Sequence, residues 1–255
     1  MPRRKHSMKM LYLDIETTPH YGTFWNLFPN FIPIGQLLKP TEMLCWAAKW
    51  EGDRDILFKS VNDGDMVEVM WDLLDEADCV CHWNGTSFDM KHLNREFIKR
   101  GLPPPSFYHQ IDMLKTVRHN FKLASNKLDF VAQYFGLGAK VKHAGIELWY
   151  GCIADNKRDW DIMERYNRMD VKLLPKLYRH LLPWIKNHPN VGMYVDNPTS
   201  LICPICASQG KHKQVVDYRT KTLGYDQYTC VNCSTPFRTR STNKKASTYL
   251  TVRTP

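Results

Sequence analysis

Long apolar runs are missing from this chain. Across 255 residues, none approaches the roughly 18 needed to span a bilayer as a helix. The N-terminal stretch MPRRKHSMKMLYL starts basic, but its apolar run is too short for a signal peptide. A soluble, cytoplasmic protein is therefore expected. Internal repeats are absent, as is low complexity before the tail. Acidic residues are scarce at both ends. Residues 201–255 hold nine Lys/Arg against two Asp/Glu, and the first nine residues hold four cations and no acid. The net charge of +9 thus sits at the ends of an almost neutral body, a distribution that suits a polyanion-binding protein.

Ordinary globular values fill the rest: 43% hydrophobic and 24% charged residues, enough for a packed core. The length accommodates one sizeable domain and a small second one. Eight cysteines do not read as a disulfide framework. Cys45, Cys79, Cys81 and Cys152 stand singly in apolar or mixed surroundings, as reduced core residues do. Cys203 and Cys206 form one C-x2-C pair, and Cys230 and Cys233 a second, 23 residues further on.

Periodicity predicts strands at 11–16, 43–50 and 54–60, a helix over 65–77, a buried strand at 79–83 and a helix from about 88 to 100. A strand near 108–112 follows, then a helix at 127–135 with Asn126 as its N-cap. A long helix starts near Asp159, with Pro175 as a kink or break. The expected fold is α/β: a mixed sheet with a local antiparallel section, flanked by helices. A turn-rich stretch, 187–200, reads as a linker.

The stretch LYLDIETTP (11–19) raises a chemical question. On a strand, alternate side chains share a face, so Asp14 and Glu16 project together as two neighbouring anions. Burial would raise the cost of ionising both. Either that face is open to water or a cation lies between them. Asp89, at a strand–loop–helix junction, taken alone reads as structural rather than catalytic, because capping and the macrodipole favour Asp at a helix start. Asp170 is harder to explain that way. It falls on the apolar stripe of its helix, and its i±3 and i±4 neighbours, Tyr166, Asn167, Leu173 and Leu174, include no cation. A core-facing carboxylate there needs a metal or a distant donor. Four carboxylates suit two hard divalent cations such as Mg²⁺ or Mn²⁺, which can clamp an in-line displacement.

Taken together, DIE (14–16), NGTSFD (84–89) and YNRMD (166–170) resemble the three exonuclease motifs of the DEDD superfamily. The third motif is Y-x-x-x-D, with Arg165 where the histidine variant needs His, so the resemblance is to the DEDDy subgroup. Family B polymerase proofreading domains and stand-alone phage exonucleases share this pattern. The likeness covers roughly residues 10–185 and extends to IDMLKTV and SNKLDFVAQYFGLG. It implies an RNase H-like fold and two-metal 3′–5′ exonuclease chemistry on DNA, favoured as single-stranded, releasing nucleoside 5′-monophosphates. The alternatives are a 3′–5′ exoribonuclease and a non-catalytic nucleic-acid-binding scaffold. Asp14, Glu16, Asp89 and Asp170 would hold two Mg²⁺ or Mn²⁺ ions, and Tyr166 would orient the attacking water. Asn84 and Phe88 would contact the terminal nucleotides. Trp25, Trp46, His82 and Trp149 have the chemistry to stack on bases, but aromatics at such positions are more often core.

The paired C-x2-C motifs resemble a zinc ribbon: four thiolates making a closed structural Zn²⁺ site. So short a segment buries little core, and metal would supply its folding energy. Lys211, Lys213, Arg219, Lys221, Arg238 and Arg240 line it, and Lys244 and Lys245 follow. Nucleic acid is the expected partner there, with docking of a replication or repair protein the competing role. The expected organisation is a basic tail (1–9), an exonuclease domain (10–186), a linker (187–200), a ribbon (201–240) and a second basic tail (241–255).

Overall fold

The computed structural model describes residues 7–26, 31–139, 144–220 and 223–239. The expected tail at 241–255, all but the last three residues of the tail at 1–9, and Lys221, Arg240, Lys244 and Lys245 lie outside the described residues. The chain divides into two compact units, Lys9–Tyr178 and another described over 7–8, 179–220 and 223–239. Among the described residues, no helix is long and apolar enough to cross a membrane.

The first unit opens with β1 (Met10–Thr17). A short hairpin of β2 (Tyr21–Gly22) and β3 (Leu37–Lys39) follows, then β4 (Met43–Trp50) and β5 (Leu57–Ser60). Next come α1 (Met66–Glu76), β6 (Cys79–His82), α2 (Asp89–Lys99) and β7 (His109–Asp112). Helices α3 (Met113–Asn120), α4 (Leu128–Tyr134), α5 (Ile146–Ile153) and α6 (Lys157–Leu181) complete the series. Five strands make one sheet in the order β5-β4-β1-β6-β7. β1 pairs antiparallel with β4 and parallel with β6, so the sheet is mixed, as expected.

The period-two pattern of β1 sorts its side chains between two layers. Leu11, Leu13 and Ile15 join Trp46 of β4, Met70 and Leu74 of α1, and Leu93 and Phe97 of α2 in one apolar cluster. On the other face, Tyr12 meets Tyr178 of α6 edge-on at 5.9 Å. There Leu44 and Cys45 pack with Leu148 and Cys152 of α5 and with Met163 and Tyr166 of α6. The sheet is thus enclosed on both sides, and Asp14 and Glu16 belong to the face that α6 covers.

Several local expectations are corrected. α3 and α5, only eight residues each, are too short for periodicity to mark them. Asp112 starts α3 by accepting the Leu114 N–H at 3.1 Å. Lys127 rather than Asn126 occupies the N-cap position of α4, with no side-chain capping bond, and the Asn126 side-chain oxygen is buried without a hydrogen bond. α6 begins at Lys157, because Asn156 Oδ1 accepts the Arg158 N–H at 3.0 Å. It continues through Pro175 to Leu181. β5 starts at Leu57 rather than residue 54.

In the other unit, β8 (Lys213–Arg219), β9 (Gly224–Thr229) and β10 (Pro236–Arg238) form a three-stranded antiparallel sheet in the order β10-β9-β8. Val191 of a 3-10 turn, Val191–Tyr194, donates its N–H to the Pro204 carbonyl at 2.7 Å. Pro204 lies between Cys203 and Cys206.

Candidate metal centres

Two groups of metal-ligating side chains converge among the described residues, one in each unit. In the larger unit, Asp14, Glu16 and Asp170 each bring a carboxylate oxygen within 4.8 Å of the others. β1 supplies the first two from alternate positions. α6 supplies the third from the turn that lies over them, and Asp170 is 1% exposed. Tyr166, one helical turn earlier, is 8% exposed and has the Trp149 ring edge-on at 6.1 Å.

Asp89, the fourth expected ligand, is not a member of this group. It stands at the first position of α2, the helix on the opposite face, and its Oδ1 accepts the Ile15 N–H at 3.0 Å. Ile15 is the residue between Asp14 and Glu16, so Asp89 is tied to the strand bearing them. Burial pushes its carboxyl up to about 7, and the nearby Asp112 charge adds to this against the Ile15 hydrogen bond.

Asn167, which the sequence marks only as a neighbour of Asp170, completes the surroundings of Asp14. It is fully buried, and its amide nitrogen donates to Asp14 Oδ2 at 2.8 Å and to the Asp14 carbonyl at 3.3 Å. Its own Oδ1 is buried without a hydrogen-bond partner. The signal available was its place between Tyr166 and Asp170, where a polar side chain on a buried helix face needs a reason.

The loop carrying Asn84 and Phe88 is held from beneath. Asn84 adopts φ 68° and donates its backbone N–H to Asp112 Oδ1 at 3.0 Å. The next N–H, of Gly85, donates to His82 Nδ1 at 3.0 Å, and a Cβ on Gly85 would stand 2.4 Å from the imidazole. His82 therefore accepts through Nδ1, which leaves Nε2–H to donate to Gln110 Oε1 at 3.3 Å. Burial keeps this histidine neutral by lowering its pKa. Phe88 is 38% exposed, with His92 edge-on at 4.6 Å. Of the other aromatics considered, Trp46 and His82 are core, Trp149 packs on Tyr166, and Trp25 is 93% exposed.

In the smaller unit the four cysteine sulfurs also lie within 4.8 Å of one another. Cys203–Cys233 and Cys206–Cys230 separations are 3.7 and 3.6 Å, and all four thiols are free. A tetrahedron of Zn–S bonds near 2.3 Å has edges of about 3.8 Å, so the cluster fits that ion. Ser208 Oγ lies 3.2 Å from the Cys206 sulfur and 3.1 Å from that of Cys230. Burial pushes the Cys206 thiol up, but hydrogen bonds from Ser208 and Asn232 prevail and bring it down to about 6. The carboxylate group fits harder ions: it offers only oxygens, and the adjacent Asn167 Oδ1 lacks a donor.

This architecture agrees with the comparisons to known proteins. Residues 46–182, more than half of the chain, match the RNase_H superfamily profile. The chain belongs to the RNase_H superfamily. The matched segment contains Asp89, Tyr166 and Asp170 but not the two carboxylates of β1. Among solved structures, the fold is similar to that of the family B DNA polymerase from the hyperthermophilic archaeon Pyrobaculum calidifontis. The TM-score is 0.52 with 16% identity, covering 86% of this chain and 34% of that one. The chain therefore spans about a third of that polymerase's length. No curated protein matches it in sequence.

Proposed function

We propose that the larger unit is a divalent-metal-dependent 3′–5′ exonuclease of the DEDDy type. Its substrate in this reading is single-stranded DNA, and its products are nucleoside 5′-monophosphates. The observation that carries the proposal is the convergence of Asp14, Glu16 and Asp170 on one face of β1 with Tyr166 a turn away on α6. Structural likeness to a polymerase that works on DNA favours DNA as substrate.

Asp14, Glu16 and Asp170 would hold Mg²⁺ or Mn²⁺, with Asp89 as the fourth ligand. Ions bound there would polarise the scissile phosphate and acidify an attacking water. The chain's own residues do the positioning. Asn167 fixes the rotamer of Asp14 from one side, and the Ile15 N–H fixes Asp89 from the other. Tyr166 orients the attacking water through its hydroxyl rather than as a base, because a phenol near pKa 10 is a poor base at neutral pH. Asn84 and Phe88, on the loop braced by His82 and Asp112, contact the terminal nucleotides. The four cysteines hold one structural Zn²⁺.

The test uses the full chain with Mg²⁺ or Mn²⁺ on end-labelled DNA and RNA oligonucleotides. A 3′ label should be released at once as a mononucleotide, and a 5′ label should appear in a ladder that shortens stepwise. Internal fragments from the first time point would contradict an exonuclease. Faster degradation of RNA would overturn the substrate assignment.

A further inference from the structure

Strand register divides the small sheet into two faces of different chemistry. Along β9, Tyr225, Gln227 and Thr229 point to one side, and Asp226 and Tyr228 to the other. The pairs Tyr218↔Tyr225, Arg238↔Gln227 and Lys213↔Thr229 gather two tyrosines and two cations on the first face. The pairs Gln214↔Tyr228 and Phe237↔Tyr228 belong to the second face, along with Asp226. That second face satisfies its own aromatics: Tyr228 stacks on Phe237 at 5.8 Å, and Phe237 meets His212 edge-on at 5.1 Å.

On the first face, the Arg238 guanidinium carbon lies 3.8 Å from the Tyr225 ring centre and 5.9 Å from that of Tyr218. Tyr225 is covered, but Tyr218 is 42% exposed, and Lys213 and Arg238 are exposed. A planar cation thus lies close to an open ring, with a second cation, Lys213, further along the same face and Asp226 on the opposite side. Single nucleic-acid strands need this combination: flat surfaces for bases and cations for the phosphates between them. The charge agrees. Residues 201–255 carry nine cations and two acids, and a Zn²⁺ with four thiolates removes only two of that excess.

We propose that this face is a binding site for a single DNA strand, with a base stacked on Tyr218 and phosphates held by Arg238 and Lys213. The choice of DNA rests on the substrate proposed above; the stacking geometry does not. Binding is measured in the full, zinc-loaded chain by fluorescence anisotropy of a labelled oligothymidylate. An Asp14→Asn background without added Mg²⁺ or Mn²⁺ removes turnover, so failure here is separate from failure of the nuclease reading. Tyr218→Ala should weaken binding about tenfold, and Tyr218→Phe should bind like the parent. The Lys213→Ala/Arg238→Gln double variant should lower the salt slope by about 1.4, roughly 0.7 for each phosphate that is no longer neutralised. Gln214→Ala, on the second face, should change neither. Parental affinity and slope in every variant would overturn the proposal and leave the face to a protein partner. An equal loss in Gln214→Ala would overturn it as well.

Discussion

The two ligand clusters rest on unlike foundations. Asp14, Glu16 and Asp170 stand on a central strand and a 25-residue helix, with fully buried side chains such as Trp46, Leu13 and Met163 on both sides of the sheet. Around the cysteines, the only other buried residues among those described in 201–239 are Tyr225 and Thr235. A packed sheet can hold carboxylates close together before any ion arrives, because the core holds them against their repulsion. A unit with almost no core has no such reserve. Metal in the first place is expected to be a reagent, and in the second a part of the fold.

The largest expected effect breaks the weaker partner. Structural zinc contributes about 10–16 kcal/mol of apparent binding free energy in small cysteine-ligated units. Cys206→Ser should therefore abolish zinc binding and hydrogen-exchange protection across 213–238, while protection of Met10–Thr17 and Met43–Trp50 stays at the parental level. A protected small sheet without zinc would show that its few side chains suffice.

Within the larger unit, Tyr166→Phe should slow saturated turnover by about 10²–10⁴-fold, the usual range for a group that handles or positions a proton. Its affinity for Mn²⁺ and for DNA should not change. A raised metal requirement with unchanged saturated turnover would move Tyr166 from the water to the metal ligands.

Asn167 provides a smaller and sharper test, since its amide holds Asp14 in place and it is not one of the proposed carboxylate ligands. Asn167→Ala should weaken Mn²⁺ binding, measured by calorimetry, by about 10–100-fold. Unchanged affinity would mean that packing alone orients Asp14.

A further test, read without turnover, concerns the metal-free protein and its pH dependence. With its carboxyl pushed up to about 7 in the folded state, against about 3.9 unfolded, Asp89 binds more proton folded than unfolded between those values. Its contribution therefore favours folding at low pH and is lost as pH rises toward 7. Asp89→Asn can still accept the Ile15 N–H but carries no charge. The variant should be more stable than the parent by at most about 4 kcal/mol at pH 8, with the gain gone near pH 4. Comparing the two cancels the opposite contribution of His82, whose lowered pKa costs stability as pH falls. A gain independent of pH would mean that Asp89 is not the titrating group.

Much of this architecture was legible in the sequence. Alternation in LYLDIET marked the strand with its two chemically different faces, and the mixed sheet followed from the order of the apolar segments. The rest depends on tertiary neighbours. α3 and α5 are short and owe their positions to Asp112 and to burial of Leu148 and Cys152, signals too local for periodicity. Asp89 could be singled out as a carboxylate at a helix start, but not that its partner is the backbone of Ile15, 74 positions away. Asn167 was visible only as a neighbour of Asp170, because its donation to Asp14 spans 153 positions.

The central claim is that three carboxylates from β1 and α6 make one metal-dependent exonuclease centre on a scaffold that stands without metal. The most direct measurement compares the parent and Asp170→Asn for release of a 3′-terminal label from single-stranded DNA in saturating Mg²⁺, alongside thermal melting of both in the metal-free state. Label release is expected from the parent and none from Asp170→Asn, whose metal-free melting temperature should be no lower than the parent's. Parental release by Asp170→Asn, or no release by the parent, would contradict it.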